Sequence, residues 1–161
     1  MAFLSSINSG AEGRNLDFDS KFAIAHFGLV TSSSIYSGEQ LPSNESSPTD
    51  PKNPYTLQKL IAEWYIILYN RLYGLDYTIL RYFNVFGPGQ DAHSEDSAVI
   101  PRFINYLVTH RPITIFGDGE QSRDFTFVEN VVEANLLALG AVNAAGKMCN
   151  IGCGQRITLN Q

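Results

Sequence analysis

Between residues 54 and 73 apolar side chains recur at spacings of three and four: Leu57, Leu60, Ile61, Trp64, Ile67, Leu68 and Leu72. That period predicts a helix with one apolar stripe. Its ends are well marked. Asn53 is a good N-cap, Pro54 suits the first helical position, where a backbone N–H would lack a partner anyway, and Gly74 can supply a left-handed stop. Elsewhere short apolar runs alternate with turn residues. FGLVT at 27–31, DYTILRYF at 76–83, ITIF at 113–116, DFTFV at 124–128 and a run near 148–151 predict strands. Further helices are predicted near 98–109 and 129–142, and residues 37–53, rich in Pro, Ser, Asn and Asp, read as a loop. Strands alternating with helices give the rhythm of a sheet covered by helices, an α/β fold.

The two ends do not read like the ends of a domain. Residues 1–22 carry no convincing strand or long amphipathic helix, and ITLNQ at 157–161 predicts the start of a helix with Thr158 as its cap. The chain therefore reads as incomplete, with residues 1–26 an unassigned segment and residues 27–161 a partial domain.

Composition narrows the class without naming a function. A length of 161 residues, 44% of them hydrophobic and 17% charged, suits one ordinary globular domain. No apolar run approaches the roughly 18 residues that a spanning helix needs, so no membrane partner is indicated. The first 20 residues lack a basic stretch followed by an apolar one, so secretion is not indicated either. A net charge of −5 without basic clusters disfavours nucleic acid. Cys149 and Cys153 are the only cysteines, and no second Cys or His cluster completes a metal site around them. They read as two reduced thiols near a strand end, which points weakly to the cytoplasm. His26, His93 and His110 have no partner cluster and read as solvent-facing or loop residues.

One pair on the predicted helix stands out. Tyr55 and Lys59 lie four apart, which puts them one above the other on a shared face. Chance alone gives about 0.2 such pairs in a chain of this composition, so the spacing by itself is a weak signal. Its context is not weak. SSSIY (32–36), NPYTLQK (53–59), LRYFNVFGPGQD (80–91), AVIPRFI (98–104), ITIFGDGEQSRDFTFVENV (113–131) and NIGCGQRITL (150–159) occur in this order along the chain. Together they resemble the extended short-chain dehydrogenase/reductase family, and within it the NAD-dependent sugar-nucleotide epimerases that act on UDP-glucose and UDP-N-acetylglucosamine. The resemblance runs from about residue 29 to the end.

It implies a Rossmann-like doubly wound sheet, of which this chain would hold the C-terminal half, together with part of a small substrate-binding α/β subdomain. NAD would be the cofactor and a UDP-sugar the substrate. Tyr55 would be the general base that takes the proton of the sugar 4-hydroxyl as hydride leaves C4 for NAD. A free tyrosine titrates near pH 10, so useful basicity near pH 7 needs a shift of about 3 units, or roughly 4 kcal/mol. A nearby ammonium and the positive nicotinamide can supply it in a partly buried site. Lys59 would also bond the nicotinamide ribose. A serine at the end of the preceding strand would donate to the same sugar oxygen; spacing gives Ser32, with Ser33 as the alternative.

Other roles follow from the same resemblance. Tyr82 and Phe83 would lie by the nicotinamide, and Ser33 and Ser34 near the substrate. Asn84 would contact the diphosphate, Val99 and Ile100 would approach the nucleotide, and Phe116 would pack near the uracil. Arg123 would pair with a phosphate, where a planar guanidinium can bond bidentately; a structural ion pair with Asp124 is the alternative. The family's 4,6-dehydratases carry Thr-Asp-Glu where this chain has Ser32, Ser33 and Ser34, so the acid/base pair for water elimination is missing. Reversible oxidation at C4 needs only Tyr55, a serine and retained NAD, so epimerisation is the minimal chemistry the resemblance implies.

Departures from the family pattern bear on activity. Ser37 stands where the family usually has glycine, with Gly38 one residue later. The strand–GxxGxxG–helix turn that cradles the dinucleotide phosphates does not occur, and Gly10 with Gly13 gives only a lone GxxG. The C-terminal part that completes the sugar-nucleotide pocket is missing as well. Two further readings therefore stand beside the epimerase: a non-catalytic remnant, and another epimerase or reductase acting on a GDP- or dTDP-linked sugar. Family members often dimerise through two helices per subunit, so a homodimer of a full-length protein is compatible with the resemblance, although the helix before the Tyr55 helix is not evident here.

Overall fold

The computed structural model describes residues 26–38, 40–92, 98–141 and 143–161. They divide into two compact units, residues 26–82 with 134–150, and residues 83–133 with 151–161. The unassigned segment 1–26 lies outside the described residues except for His26.

The first unit is built on a three-stranded sheet in the order β1 (Phe27–Ser32), β2 (Tyr77–Tyr82), β6 (Lys147–Ile151). β1 and β2 are parallel, with Phe27 opposite Tyr77, Leu29 opposite Ile79, Thr31 opposite Arg81 and Ser32 opposite Tyr82. Helix α1 (Pro54–Tyr73) joins them. Because side chains alternate along a strand, the odd-numbered positions of β1 and β2 share one face. Ile66 of α1 packs there on Tyr77 and Ile79, with Phe27, Leu29, Ile67, Tyr69 and Met148 around them. Towards the C-terminal end of the strands this face turns from apolar to polar at Thr31 and Arg81.

The ends of α1 match the sequence. Asn53 Oδ1 accepts from the Thr56 amide at 2.9 Å, the Thr56 hydroxyl accepts from the Asn53 amide at 3.2 Å, and Gly74 closes the helix at φ 71°. Its orientation does not. The buried positions are Thr56, Leu60, Glu63 and Ile66, whereas Leu57, Ile61, Trp64, Leu68 and Leu72 from the expected stripe are exposed, Trp64 by 59%. A charged residue occupies the core face because Arg81 neutralises it there; Leu60 and Ile67 of the expected stripe still reach the core, while the rest of it faces outward. His26 lies in irregular chain just before β1, as a loop residue, and is half-buried, with Nε2 2.9 Å from the Thr78 hydroxyl. His110 is exposed, just beyond a helix end, and His93 lies outside the described residues.

The second unit contains a parallel pair, β3 (Asn84–Phe86) with β5 (Phe125–Phe127), and a short antiparallel pair, β4 (Ser122–Arg123) with β7 (Ile157–Thr158). Helix α2 (Val99–Val108) belongs to it, and α3 (Val128–Gly140) begins in it. Gly87 allows a close approach, since a Cβ there would lie 2.4 Å from Val128 Cγ1. Two expected elements are absent. Residues 113–116 form no strand, because ITIF finds no ladder partner among the described residues. The expected helix start at 157–161 is instead β7, whose backbone pairs with β4, and the Thr158 amide donates to Gln161 Oε1 rather than opening a helix.

Candidate active site

The capping box of α1 fixes its first turn, and with it Tyr55 directly after Pro54. Tyr55 is 54% exposed, while its neighbour Thr56 is buried and holds the helix phase. One turn on, Lys59 places its ammonium 5.6 Å from the centre of the Tyr55 ring. The sequence pair is therefore a real contact, with a positive charge over a solvent-accessible phenol.

Ser32 ends β1 beside Tyr82 of β2. Its Oγ accepts from the Ser34 amide at 3.2 Å and lies 2.9 Å from the Ser34 hydroxyl, capping a single tight turn over Ser33–Ile35. Ser32 thus does act as a cap, yet its own hydroxyl proton stays available when Ser34 is the donor between them. Tyr82 accepts a hydrogen bond on its hydroxyl from Asn135 Nδ2.

Beneath these residues lies a buried polar network that sequence reasoning missed. Glu63 and Arg81 are 1% and 4% exposed. Arg81 Nε donates to Glu63 Oε1 at 3.0 Å and Nη2 to Oε2 at 2.6 Å, the planar fork of guanidinium on carboxylate. The Thr31 hydroxyl donates to the same Oε1 at 2.6 Å. Arg81 Nη1 reaches the Tyr36 hydroxyl and the Glu45 carbonyl, and Tyr36 in turn donates to Asn150 Oδ1 at 2.6 Å. Burial works to lower the Arg81 pKa, but the hydrogen bonds and charges of Glu63 and Tyr36 outweigh it and raise it above the ordinary arginine value. No buried side-chain polar atom among the described residues lacks a partner. The only sequence signal was a glutamate at the edge of the apolar stripe, three and four residues from Leu60 and Ile67, and an arginine inside an apolar strand.

The second unit gathers most of the residues expected on the substrate side. Asn84, Val99, Ile100 and Arg123 line one cavity of about 180 Å³, with Phe86 and Phe125 in its wall. Asn84 Nδ2 donates to the Asp124 carbonyl at 3.2 Å. The alternative Arg123–Asp124 ion pair does not form. Asp124 spends its carboxylate on the amides of Cys153 and Gly154, at 2.9 and 2.8 Å, and Arg123 Nη1 donates to the Ser122 carbonyl. Phe116 is 72% exposed and does not line this cavity, and neither does Phe83, whose amide donates to the Ile151 carbonyl. Burial, and then the Glu45 carboxylate, push the Cys149 thiol above its usual pKa, with Lys147 opposing; Cys153 is exposed. Among the described residues no three His, Cys, Asp or Glu side chains gather to hold a metal, and no helix is long and apolar enough to cross a membrane.

Comparison with known proteins gives a consistent answer. Residues 15–152 match the model of the NAD dependent epimerase/dehydratase family. The chain is 41% identical, over 98% of its own length and 49% of the relative's, to a Methanocaldococcus jannaschii protein provisionally named a UDP-glucose 4-epimerase. Among solved structures it is similar to the UDP-N-acetylglucosamine 4-epimerase of Methanobrevibacter ruminantium in complex with UDP-N-acetylmuramic acid, at 39% identity and a TM-score of 0.81, covering 85% of this chain and 44% of that one. It is likewise similar to the UDP-glucuronic acid 4-epimerase of Bacillus cereus in complex with UDP-glucuronic acid and NAD, at 30% identity and a TM-score of 0.78, covering 87% and 44%. The chain thus spans about half the length of the proteins it matches. Its α/β architecture is the Rossmann-like fold of these epimerases. With its family model and its relatives in agreement, this chain belongs to the NAD dependent epimerase/dehydratase family.

Proposed function

We propose that this chain carries the catalytic residues of an NAD-dependent UDP-hexose 4-epimerase. The observation that carries the reading is the Lys59 ammonium 5.6 Å from the exposed Tyr55 ring, on a helix turn locked by Asn53 and Thr56. In this reading Tyr55, as phenolate, takes the proton of the sugar 4-hydroxyl, and Lys59 stabilises the phenolate charge. Ser32 donates to the same sugar oxygen, with Ser33 as alternative and Ser34 beside the substrate. The hydroxyl of Tyr55 and the ammonium of Lys59, accessible on one face, fit the nicotinamide ribose end of NAD, where Tyr82 and Phe83 would also stand. NAD, when bound there, would supply the reversible hydride acceptor for C4 that epimerisation needs. Tyr55 then gives the proton back.

Nucleotide recognition falls to the second unit. Arg123 and Asn84 would hold the diphosphate, Val99 and Ile100 the apolar wall, and Phe116 the uracil. Arg123 suits this because its neighbour Asp124 is already committed to backbone amides and leaves the guanidinium uncompensated. Three consecutive serines instead of an acid/base pair favour epimerisation over water elimination. The outward apolar stripe of α1 would pair with a second copy in a cytoplasmic homodimer.

The test is to supply the polypeptide of the complete reading frame that contains this chain with NAD and, separately, UDP-glucose, UDP-N-acetylglucosamine, UDP-glucuronic acid, and GDP- and dTDP-linked hexoses. Conversion of a UDP-hexose to its 4-epimer supports the reading. Turnover of only GDP- or dTDP-sugars would replace the substrate class. No turnover, together with no NAD-dependent rise in melting temperature, would point to a non-catalytic remnant.

A further inference from the structure

Ser32 and Tyr55 come from different elements, a strand end and a helix start, and their mutual placement depends on how α1 seats on the sheet. Apolar packing of Leu60 and Ile66 holds the two together but is non-directional. Directional bonds are concentrated at Glu63, one turn beyond Lys59 and two beyond Tyr55. Its Oε1 takes the hydroxyl of Thr31 at 2.6 Å, and Thr31 is the residue immediately before Ser32. Arg81 holds both oxygens of the same carboxylate from the neighbouring strand. One buried carboxylate therefore ties the helix that carries Tyr55 and Lys59 to the strand that carries Ser32.

Resting on the epimerase reading above, we infer that Thr31, acting through Glu63, is a positioning residue that sets Ser32 relative to Tyr55 and Lys59. The Arg81–Glu63 fork ties α1 to β2, and the Thr31 bond alone ties it to β1 directly beside Ser32. Misplacement of a reacting group by about 1 Å can cost about 100-fold in rate. The tie does not touch substrate.

Thr31→Val is the incisive variant, because it keeps the shape and leaves the Arg81–Glu63 pair intact, unlike removal of either charge. In the polypeptide of the complete reading frame, kcat for UDP-hexose epimerisation falls about 10-fold or more per NAD-loaded site, KM stays within twofold, and Thr31→Ser restores most of the rate. Melting temperature drops by no more than about 5 °C. A merely structural hydroxyl would lower the melting temperature and leave kcat per folded site unchanged, and that result overturns the inference. So does a rise in KM with kcat unaltered.

Amide hydrogen exchange gives a second readout that needs no turnover. In Thr31→Val, protection of the turn amides at Ser34 and Tyr36 falls about 10-fold while that of Ile79 and Leu80 in β2 holds. If the wild type has no epimerase activity, the functional reading fails and exchange still decides the tie: selective loss at the turn supports it, and unchanged or uniformly lowered protection overturns it.

Discussion

Replacing Arg81 by Met tests the buried network most severely. The side chain is 4% exposed and donates to both oxygens of Glu63, itself 1% exposed. Its removal leaves a carboxylate inside the fold with only the Thr31 hydroxyl for company. Breaking a buried pair in this way costs about 3–5 kcal/mol, against a total stability of about 5–15 kcal/mol. For a chain of this size each kcal/mol moves the melting temperature by about 2–4 °C, so the drop should be roughly 6–20 °C. Glu63→Leu strands the guanidinium and should cost a similar amount. The double variant Arg81→Met/Glu63→Leu removes both charges. It still leaves the buried Thr31 hydroxyl short of a partner, at about 1–3 kcal/mol, whereas the carbonyl of exposed Glu45 can turn to water. Its cost should fall clearly below the sum of the two single variants. Urea unfolding followed by circular dichroism at a fixed pH near 7 supplies all three values. Single variants that lose less than 1 kcal/mol, or a double variant that is simply additive, would refute the claim that this pair is buried and coupled. Because the Arg81 pKa is raised rather than lowered, its charge persists at every accessible pH, and alkaline titration should not release the pair.

Asn53→Ala removes the cap on the Thr56 amide and should cost about 1 kcal/mol in the same unfolding experiment, whereas Asn53→Ser should recover most of it. With its folded pKa raised, the protonated Cys149 thiol adds stability that is complete below the unfolded thiol value and lost as pH rises through the folded one. Near pH 7.5 an alkylating reagent should therefore modify exposed Cys153 first, with Cys149 following only as the pH climbs, and equal labelling in peptide mass spectra would contradict this. Trp64→Glu places a charge in the outward stripe of α1 and should turn a dimer of the complete polypeptide into monomer by light scattering, with the melting behaviour of the monomer little changed.

What the sequence revealed and what it hid have separable physical causes. The limits of α1 were legible because they rest on local chemistry: an N-cap, a proline at the first position and a glycine at the stop act within one turn. The contact of Tyr55 with Lys59 was legible for the same reason, since four residues of helix bring them together whatever the tertiary fold. Orientation was not local. Of the stripe from Leu57 to Leu72 only Leu60 and Ile67 reach the core; the helix is turned so that Thr56, Glu63 and Ile66 join them, because Arg81 and Thr31 await Glu63 on β2 and β1. Strand assignments failed where pairing decides. ITIF has the composition of a strand without a partner, while Ile157–Thr158 pair with Ser122–Arg123 despite a helix-like beginning. Asn84, Val99, Ile100 and Arg123, each expected from its motif to meet a different part of the sugar nucleotide, line one cavity, and Phe116 stands outside its lining.

The central claim is that Tyr55 drives proton removal as hydride leaves the sugar. It is tested most directly by mixing the NAD-loaded polypeptide of the complete reading frame with a UDP-hexose that it converts, and following the absorbance of reduced nicotinamide in a single turnover. The account predicts transient reduction in the wild type and at least about 100-fold slower reduction in Tyr55→Phe, with the UDP-sugar still bound. Reduction at the wild-type rate in Tyr55→Phe would contradict it.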